Sequence, residues 1–565
     1  MLKKVFSQIV NKWYYFLFAI ITLFIYKEAI HFDFVNFDDH LQVIENIRIQ
    51  GLSFQHLKVL FTTETVGMYQ PLTSLVLAII FHFAELNAGY YHLFSVLVHL
   101  LNGFLFFTII LKLFTDKKIA IVISLLFLVH PIMVESILWV SATSTILYVF
   151  FYLLATLAYI EFQQTKKKLL YIATFLIFIL GLLCKIQTIT FVAILFLIDW
   201  VCLKKTTSFK LFIQKIPFIA IAIVFVFIAY SFRNTANSYL ETNYPIWVLA
   251  PNQIVWYLFK FIAPFSLTIL YDWPTTFGIR ESLFSFIFTG LIFSFIKFRY
   301  NKLFVFGSLF FMITLGVHTA FFIQFLAPYA DRYGYLAFVG FLILTTAIFY
   351  KKHKKYLINT SLALILVFAF LTSRQTEVWR NSNTLWTHNL KSQKNLIANV
   401  NKASYLVEEL KDYDLALHNI KTIIQSKNTK FNSKHKSSAY YFLGIIYLNR
   451  KKLNLAERSY IKSIAYNSKR HEAHYNLGNL YSVKKEYKKA IKMYTEGLKI
   501  APKFLSFYKN RANAYYQTGK YSEALKDVEK AITLDKNKSS LRNLNTSLIE
   551  FKKEILKNLT KERDL

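Results

Sequence analysis

Cysteine is nearly absent from this chain. Its 565 residues hold two, Cys184 and Cys202, both in apolar surroundings. Neither a disulfide framework nor a zinc pattern can be built from them. Acidic residues are scarce as well: 32 Asp and Glu stand against 66 Lys and Arg, a formal charge of +34. No Walker motif, no GxGxxG, no HExxH and no defensible Ser/His/Asp arrangement occurs, so NTP-driven chemistry has no support. Nor do the apolar segments repeat in two matching, interrupted halves, which argues against a secondary transporter. The N-terminal stretch MLKKVFSQIVNKWYYFLFAIITLFIY has a basic start and an apolar run, but no small-residue cleavage site. The run is long and reads as an uncleaved first span.

What the chain has in abundance is apolar surface. It is 55% hydrophobic and 18% aromatic, with a mean hydropathy of +0.38. That composition points to an integral membrane protein. Apolar runs near 13–30, 91–111, 119–137, 143–161, 169–184, 187–203, 212–231, 283–297, 303–324, 334–350 and 356–372 predict about eleven spans in an all-α polytopic bundle. Two further runs, 71–86 and 253–271, are ambiguous. The cations arbitrate. Lys3, Lys4 and Lys12 put the N-terminus in the cytoplasm. Clusters follow at Lys112, Lys117 and Lys118; at Lys166 to Lys168; at Lys204, Lys205 and Lys210; at Lys297, Arg299 and Lys302; and at Lys351, Lys352, Lys354 and Lys355. All fall on one side only if 71–86 and 253–271 lie at the outer interface or re-enter. Residues 31–90 then form one outer loop, and the chain leaves its last span outward. The charge surplus is the bias of the inner loops plus a solvated, Lys-rich tail. Membrane lipids are expected as partners and nucleic acid is not.

The tail repeats. Gly444, Gly478 and Ala512 stand 34 residues apart, each preceded by a helix-type pattern and followed by Ala456, Ala490 and Ala524. This is the tetratricopeptide period, and it predicts an α-solenoid. The expected organisation is a membrane domain over 1–372, a connector at 373–396, a degenerate unit at 397–436, three repeats at 437–536 and a capping helix or tail at 537–565. A concave groove with Tyr447, Tyr481 and Tyr515 suits an extended protein partner. The bland alternative is a rigid spacer or a self-association surface.

Ionisable residues at the membrane are costly and mark function. Asp38 and Asp39 stand at the exit of the first span, in FDFVNFDDHLQVIEN. On the same predicted side lie His92 and His99, which share a helical face; His130 and Glu135; Lys185; and Asp331, Arg332 and Tyr333. Singly, each has a structural reading: a cross-helix hydrogen bond for His99, an interfacial ion pair for Asp331 with Arg332, an interfacial anchor for Trp139. Together they point to an anionic ligand beside an acid/base centre.

The stretches FVNFDDHLQVIEN, YQPLTSLVLAIIF, YYHLFSVLVHLLNGFLFF, HPIMVESILWVSA, ADRYGYLAFVGF and VWRNSNTLWTHNL, in this order and followed by repeats, resemble the transmembrane-and-tetratricopeptide O-mannosyltransferase family and its bacterial relatives. The resemblance implies a C-type (GT-C) glycosyltransferase fold, a polyprenyl-phosphate-linked sugar donor, a hydroxyl of an extracytoplasmic protein as acceptor, and an acidic base in the first outer loop. It places Asp38 and Asp39 as the catalytic acids. It places Arg332, with Lys185, near the donor phosphate; His92, His99, His130, Glu135, Asp331 and Tyr333 join the candidate donor-binding set by lying on the same predicted side. No cofactor is required by this reading, although the two aspartates can hold a divalent cation. Attack on the anomeric carbon would invert it. A bacterial inner membrane with a periplasmic tail is expected, the endoplasmic reticulum being the alternative. Three departures stand out. A charged stretch usual after WVS is Ala142 to Thr145, a usual Ser-Lys-Pro turn is Cys184, Lys185 and Ile186, and a common His is Gln70. The first of these leaves the donor open. A lipid or glycan acceptor, or a non-catalytic scaffold for envelope assembly, remain the other readings.

Overall fold

The computed structural model describes residues 12–202, 209–232, 246–272, 278–319, 328–393, 395–426, 430–536 and 542–563. Lys3, Lys4, Lys204, Lys205 and the end of the expected span 303–324 lie outside them. Every named element is helical. The chain divides into two compact units, Met1–Lys394 and Asn395–Leu565.

In the first unit the expected count of spans is not reproduced. Among the described residues five helices are long and apolar enough to cross a membrane: Ala88–Phe114, Val140–Thr165, Leu211–Ser231, Ile279–Phe298 and Asp331–Trp379. A sixth is added if Lys117–Leu128 and Pro131–Leu138, bent by 51° at their break, count as one. The break has a local cause. Pro131 cannot donate to the preceding turn, and the His130 ring accepts the Ile132 N–H that the break frees, at 3.2 Å. The remaining apolar helices are short. Trp13–Ile25 has 13 residues, about 20 Å at 1.5 Å per residue. The expected spans 334–350 and 356–372 belong to one helix, Gly334–Thr376, kinked at His353. This helix meets Lys302–Gly316 backbone to backbone. A Cβ on Gly307 would lie 2.4 Å from the Leu344 nitrogen, and one on Gly340 would lie 2.4 Å from that of Phe311. Such glycines permit close helix approach where apolar burial alone gives little drive.

Two segments carry the site. The loop after Trp13–Ile25 contains a 3₁₀ turn, Lys27–His31, a π turn, His40–Ile44, and the helices Phe54–Thr62 and Pro71–Ala84. The stretch 373–396, expected as a connector, belongs to the first unit over residues 373–394. It holds a 3₁₀ turn, Glu377–Trp379, and a helix, Ser382–Ser392, whose N-terminus Asn381 caps by accepting the Thr384 N–H at 3.0 Å. Its indoles, Trp379 and Trp386, are both fully buried, and that burial is what fixes it.

The second unit is an array of helix pairs. Leu396–Ser404 and the π turn Tyr405–Glu409 precede Tyr413–Gln425. Then come Lys430–Asn449 with Leu453–Tyr466, His471–Val483 with Tyr487–Ile500, Leu505–Gln517 with Tyr521–Lys536, and Arg542–Arg563 at the end. The repeat spacing has a packing meaning. A Cβ on Gly444 would strike the Tyr460 ring at 2.3 Å, and one on Gly478 the Tyr494 ring at 2.4 Å. In the third repeat the small residue is Ala512, and the facing position shrinks to Val528; both are fully buried in one cluster. The added methyl on one side is met by a smaller partner on the other, so the pair avoids overpacking. Tyr481 is buried and its hydroxyl donates to Glu457 at 3.0 Å.

Candidate active site

The two adjacent aspartates take different roles. Asp39 is 1% exposed. Its Oδ2 accepts the Val35 N–H at 3.0 Å, and its Oδ1 accepts the Ser141 N–H at 2.9 Å and the Ser141 hydroxyl at 2.5 Å. Burial pushes its carboxyl up to about 7 against those donors, and the Asp38 charge adds to the rise. Asp38 sits on a backbone with φ 66°, a left-handed conformation that non-glycine residues seldom adopt and that Asp and Asn adopt most readily. Its carboxylate has no hydrogen-bond partner among the described residues. Burial raises its pKa, and the Arg332 guanidinium acts in the opposite sense.

The turn that presents Asp38 is gripped from two sides. Asp33 N–H donates to the Arg380 carbonyl at 2.9 Å, and Asn36 N–H donates to the Ser382 hydroxyl at 2.9 Å. The Trp386 indole N–H donates to Asn36 Oδ1 at 2.6 Å. From the other side, the Trp139 indole N–H donates to the Phe37 carbonyl at 2.8 Å, and the two rings stack at 5.3 Å. Three of the sequence stretches singled out above, FVNFDD, WVSA and VWRNSNTLW, therefore converge here.

Arg332 stands next to this turn. Its guanidinium packs 4.9 Å from both the Trp139 and the Tyr333 ring centroids. Nη1 ion-pairs with Glu135, and its backbone N–H donates to the same carboxylate at 3.2 Å. Asp331 faces elsewhere and accepts the Tyr271 hydroxyl at 2.8 Å. Lys185, in the break between Lys168–Cys184 and the 3₁₀ turn Ile186–Thr190, donates to the Thr145 hydroxyl at 2.7 Å. Thr145 belongs to the uncharged stretch noted above. Burial lowers the Lys185 pKa to about 7; the Arg332 charge lowers it too, and Glu135 opposes both.

The histidines separate. His99 has both ring nitrogens engaged, with the Tyr335 hydroxyl at 2.6 Å and the Leu128 carbonyl at 3.1 Å. His130 is likewise occupied by the Ile132 N–H and the Phe261 carbonyl, at 3.2 and 3.1 Å. Both hold helices together, and neither has a nitrogen left for a ligand. His92 reaches the Asp33 carbonyl at 3.4 Å, behind the acidic turn. A residue not singled out in the sequence, His318, joins the cluster by stacking on Tyr333 at 4.2 Å. Its signal was a lone ionisable side chain in the apolar run TLGVHTAFF. Among the described residues no group of three or more His, Cys, Asp or Glu side chains is placed to hold a metal ion. Both oxygens of Asp39 already accept protein donors, so the aspartate pair is a poor fit to a divalent cation needing several oxygen ligands.

Comparison with known proteins adds two observations. Tetratricopeptide-repeat family models match residues 437–470, 471–504 and 506–538. Protein O-mannosyl-transferase TMTC3 of Homo sapiens is 30% identical over 172 residues, 28% of this chain and 18% of that protein. Protein O-mannosyl-transferase F38B6.6 of Caenorhabditis elegans is 23% identical over 395 residues, 65% of this chain and 56% of that protein. A match of that length exceeds the repeat unit and must extend into the first unit. The chain is a relative of this transmembrane-and-tetratricopeptide group. It covers less than two thirds of either relative's own length. Crystal structures of MamA are also similar, at 23% identity and a TM-score of 0.25 over 28% of this chain and 89% of that one.

Proposed function

We propose that the chain is a membrane glycosyltransferase that moves a sugar, mannose by the relatives' names, from a polyprenyl-phosphate donor to a hydroxyl of an acceptor protein. The observation that carries this reading is the division of labour at the acidic turn. Asp39 spends both oxygens on holding the turn, and Asp38 is left with an unengaged carboxylate facing the Arg332 charge. Asp38 takes the proton of the acceptor hydroxyl as its oxygen bonds to the anomeric carbon. The bond from that carbon to the phosphate oxygen breaks, and the lipid phosphate leaves with the electron pair. Inversion follows from a single displacement. Such a leaving group needs charge neutralisation more than protonation, and Lys185 and Arg332 supply cations. We place the active face, the C-terminus and the repeats outside the cytoplasm of a bacterial inner membrane. The short apolar helices would complete a GT-C-like bundle, and the repeats would hold the acceptor.

Asp38→Asn is the test. Asn tolerates the left-handed backbone and keeps the shape, so melting temperature should not move while transfer falls by about 10²–10⁴-fold. Asp39→Ala should behave differently, lowering stability as well, since it strands the Val35 and Ser141 donors at about 1–3 kcal/mol each. Full transfer by Asp38→Asn in membranes would place the base elsewhere. Absence of donor consumption by the wild-type chain, together with retrieval of an envelope complex on the repeats, would favour the scaffold reading.

A further inference from the structure

The positive groups of this site are unequally committed. Arg332 is tied to Glu135 by its side chain and its backbone, and its guanidinium packs against the Trp139 and Tyr333 rings. Lys185 donates to a neutral hydroxyl, Thr145, lies 5.7 Å from the Tyr148 ring centroid, and has no carboxylate within ion-pair distance among the described residues. His318 is less committed still. It follows the helix Lys302–Gly316 in a turn closed by its own N–H on the Leu315 carbonyl, at 2.9 Å. Its side chain is 3% exposed, yet among the described residues neither Nδ1 nor Nε2 has a hydrogen-bond partner. His99 and His130, equally buried, have both nitrogens satisfied. A buried imidazole with two orphaned nitrogens is an exception in native structures and calls for an explanation.

Its surroundings provide one. The ring lies flat on Tyr333, 9° from parallel at 4.2 Å, which fixes the plane in which its nitrogens point. The charges of Lys185 and Arg332 both act on it. An imidazole carries an N–H whichever nitrogen holds the proton, and a donor within the field of two cations is suited to an anionic oxygen. We propose that His318 is a further ligand-binding residue, donating a hydrogen bond to the phosphate of the lipid-linked donor while Lys185 supplies the unpaired charge. The inference rests on the transferase reading above and adds to it a residue outside the stretches that carry the family resemblance. Stacking on Tyr333 orients the donor in advance, so its two orphaned nitrogens in the free protein are the preparation for the phosphate.

The test is binding without turnover. Full-length protein in lipid nanodiscs is titrated with a short polyprenyl monophosphate and, separately, with inorganic phosphate. His318→Phe keeps a ring on Tyr333 and removes both nitrogens. The expected result is a Kd for the prenyl phosphate raised about tenfold or more, the loss typical of a hydrogen bond to a charged group. The melting temperature of the ligand-free variant should be unchanged or higher, because two unsatisfied buried atoms are gone. His318→Gln, which retains a donor, should recover part of the affinity and covers the case of a misfolded phenylalanine variant. Wild-type affinity in His318→Phe would overturn the inference while leaving the transferase reading intact. Equal affinity of the wild type for inorganic phosphate would overturn the lipid as the source of the anion. If the wild type binds neither probe, both the inference and the reading beneath it fall.

Discussion

At the scale of single residues, the site turns on neighbours with unequal freedom. Asp38 and Asp39 are adjacent in sequence, and their position at a membrane exit singles out the pair. Which of them is free could not be read from it, because Asp39 is claimed by Ser141, 102 residues away. His318 left one signal, a lone ionisable side chain in an apolar run, but its meaning lies in partners it lacks. Arg332 also sets a pH response. A base works only when ionised, and burial raises Asp38 above the ordinary carboxylate value of about 4. The acid limb of kcat/KM should therefore lie above that value. The Arg332 charge lowers the Asp38 pKa, so Arg332→Gln should move the limb to higher pH and Arg332→Lys should leave it nearly in place. The residual activity of each variant across pH decides this. A limb that stays put in Arg332→Gln means the titrating group is not Asp38.

Elements were legible where a period was long and regular. The spacing of Gly444, Gly478 and Ala512 announced helix pairs, and the helices Lys430–Asn449 to Tyr521–Lys536 follow that register. Hydrophobic runs told less. The run 119–137 is one stretch in sequence but two helices around Pro131, whereas 334–350 and 356–372 are two stretches within one kinked helix. Composition cannot distinguish a break from a turn. The π turns His40–Ile44 and Tyr405–Glu409 had no signature either. The repeat packing offers a sharp test. Gly478→Ala places a methyl against the Tyr494 ring and should cost about 1–3 kcal/mol by overpacking. Adding Tyr494→Val recreates the pairing of Ala512 with Val528 and should recover much of that loss. Chemical denaturation of the isogenic set reads both effects. Equal stability of the double and single variants would mean that the two positions are not coupled.

For the whole molecule, division into two units suggests division of work. All the groups of the candidate site belong to Met1–Lys394, including residues 373–394 of the stretch that the sequence presented as a mere connector. It could not be recognised as part of the site because its role depends on a turn more than 300 residues earlier. Deleting residues from 437 onward should leave donor hydrolysis and transfer to a short hydroxyl acceptor intact, and should impair modification of the native acceptor protein. A donor-consumption assay run beside an acceptor-labelling assay separates the two activities. An undiminished native-acceptor rate in the truncated protein would remove the repeats from acceptor choice.

The indole of Trp139 donates its N–H to the acidic turn, stacks on Phe37 and lies under the Arg332 guanidinium. Its excited state is therefore wired to both halves of the reaction centre. A guanidinium against an indole perturbs its emission, and so does a change in the hydrogen bond to its N–H. Occupation of the centre should be visible as intrinsic fluorescence, with Trp139→Phe as the blank that identifies the emitting ring. The chain thus carries an optical reporter of its own ligand state, with no dye or label attached.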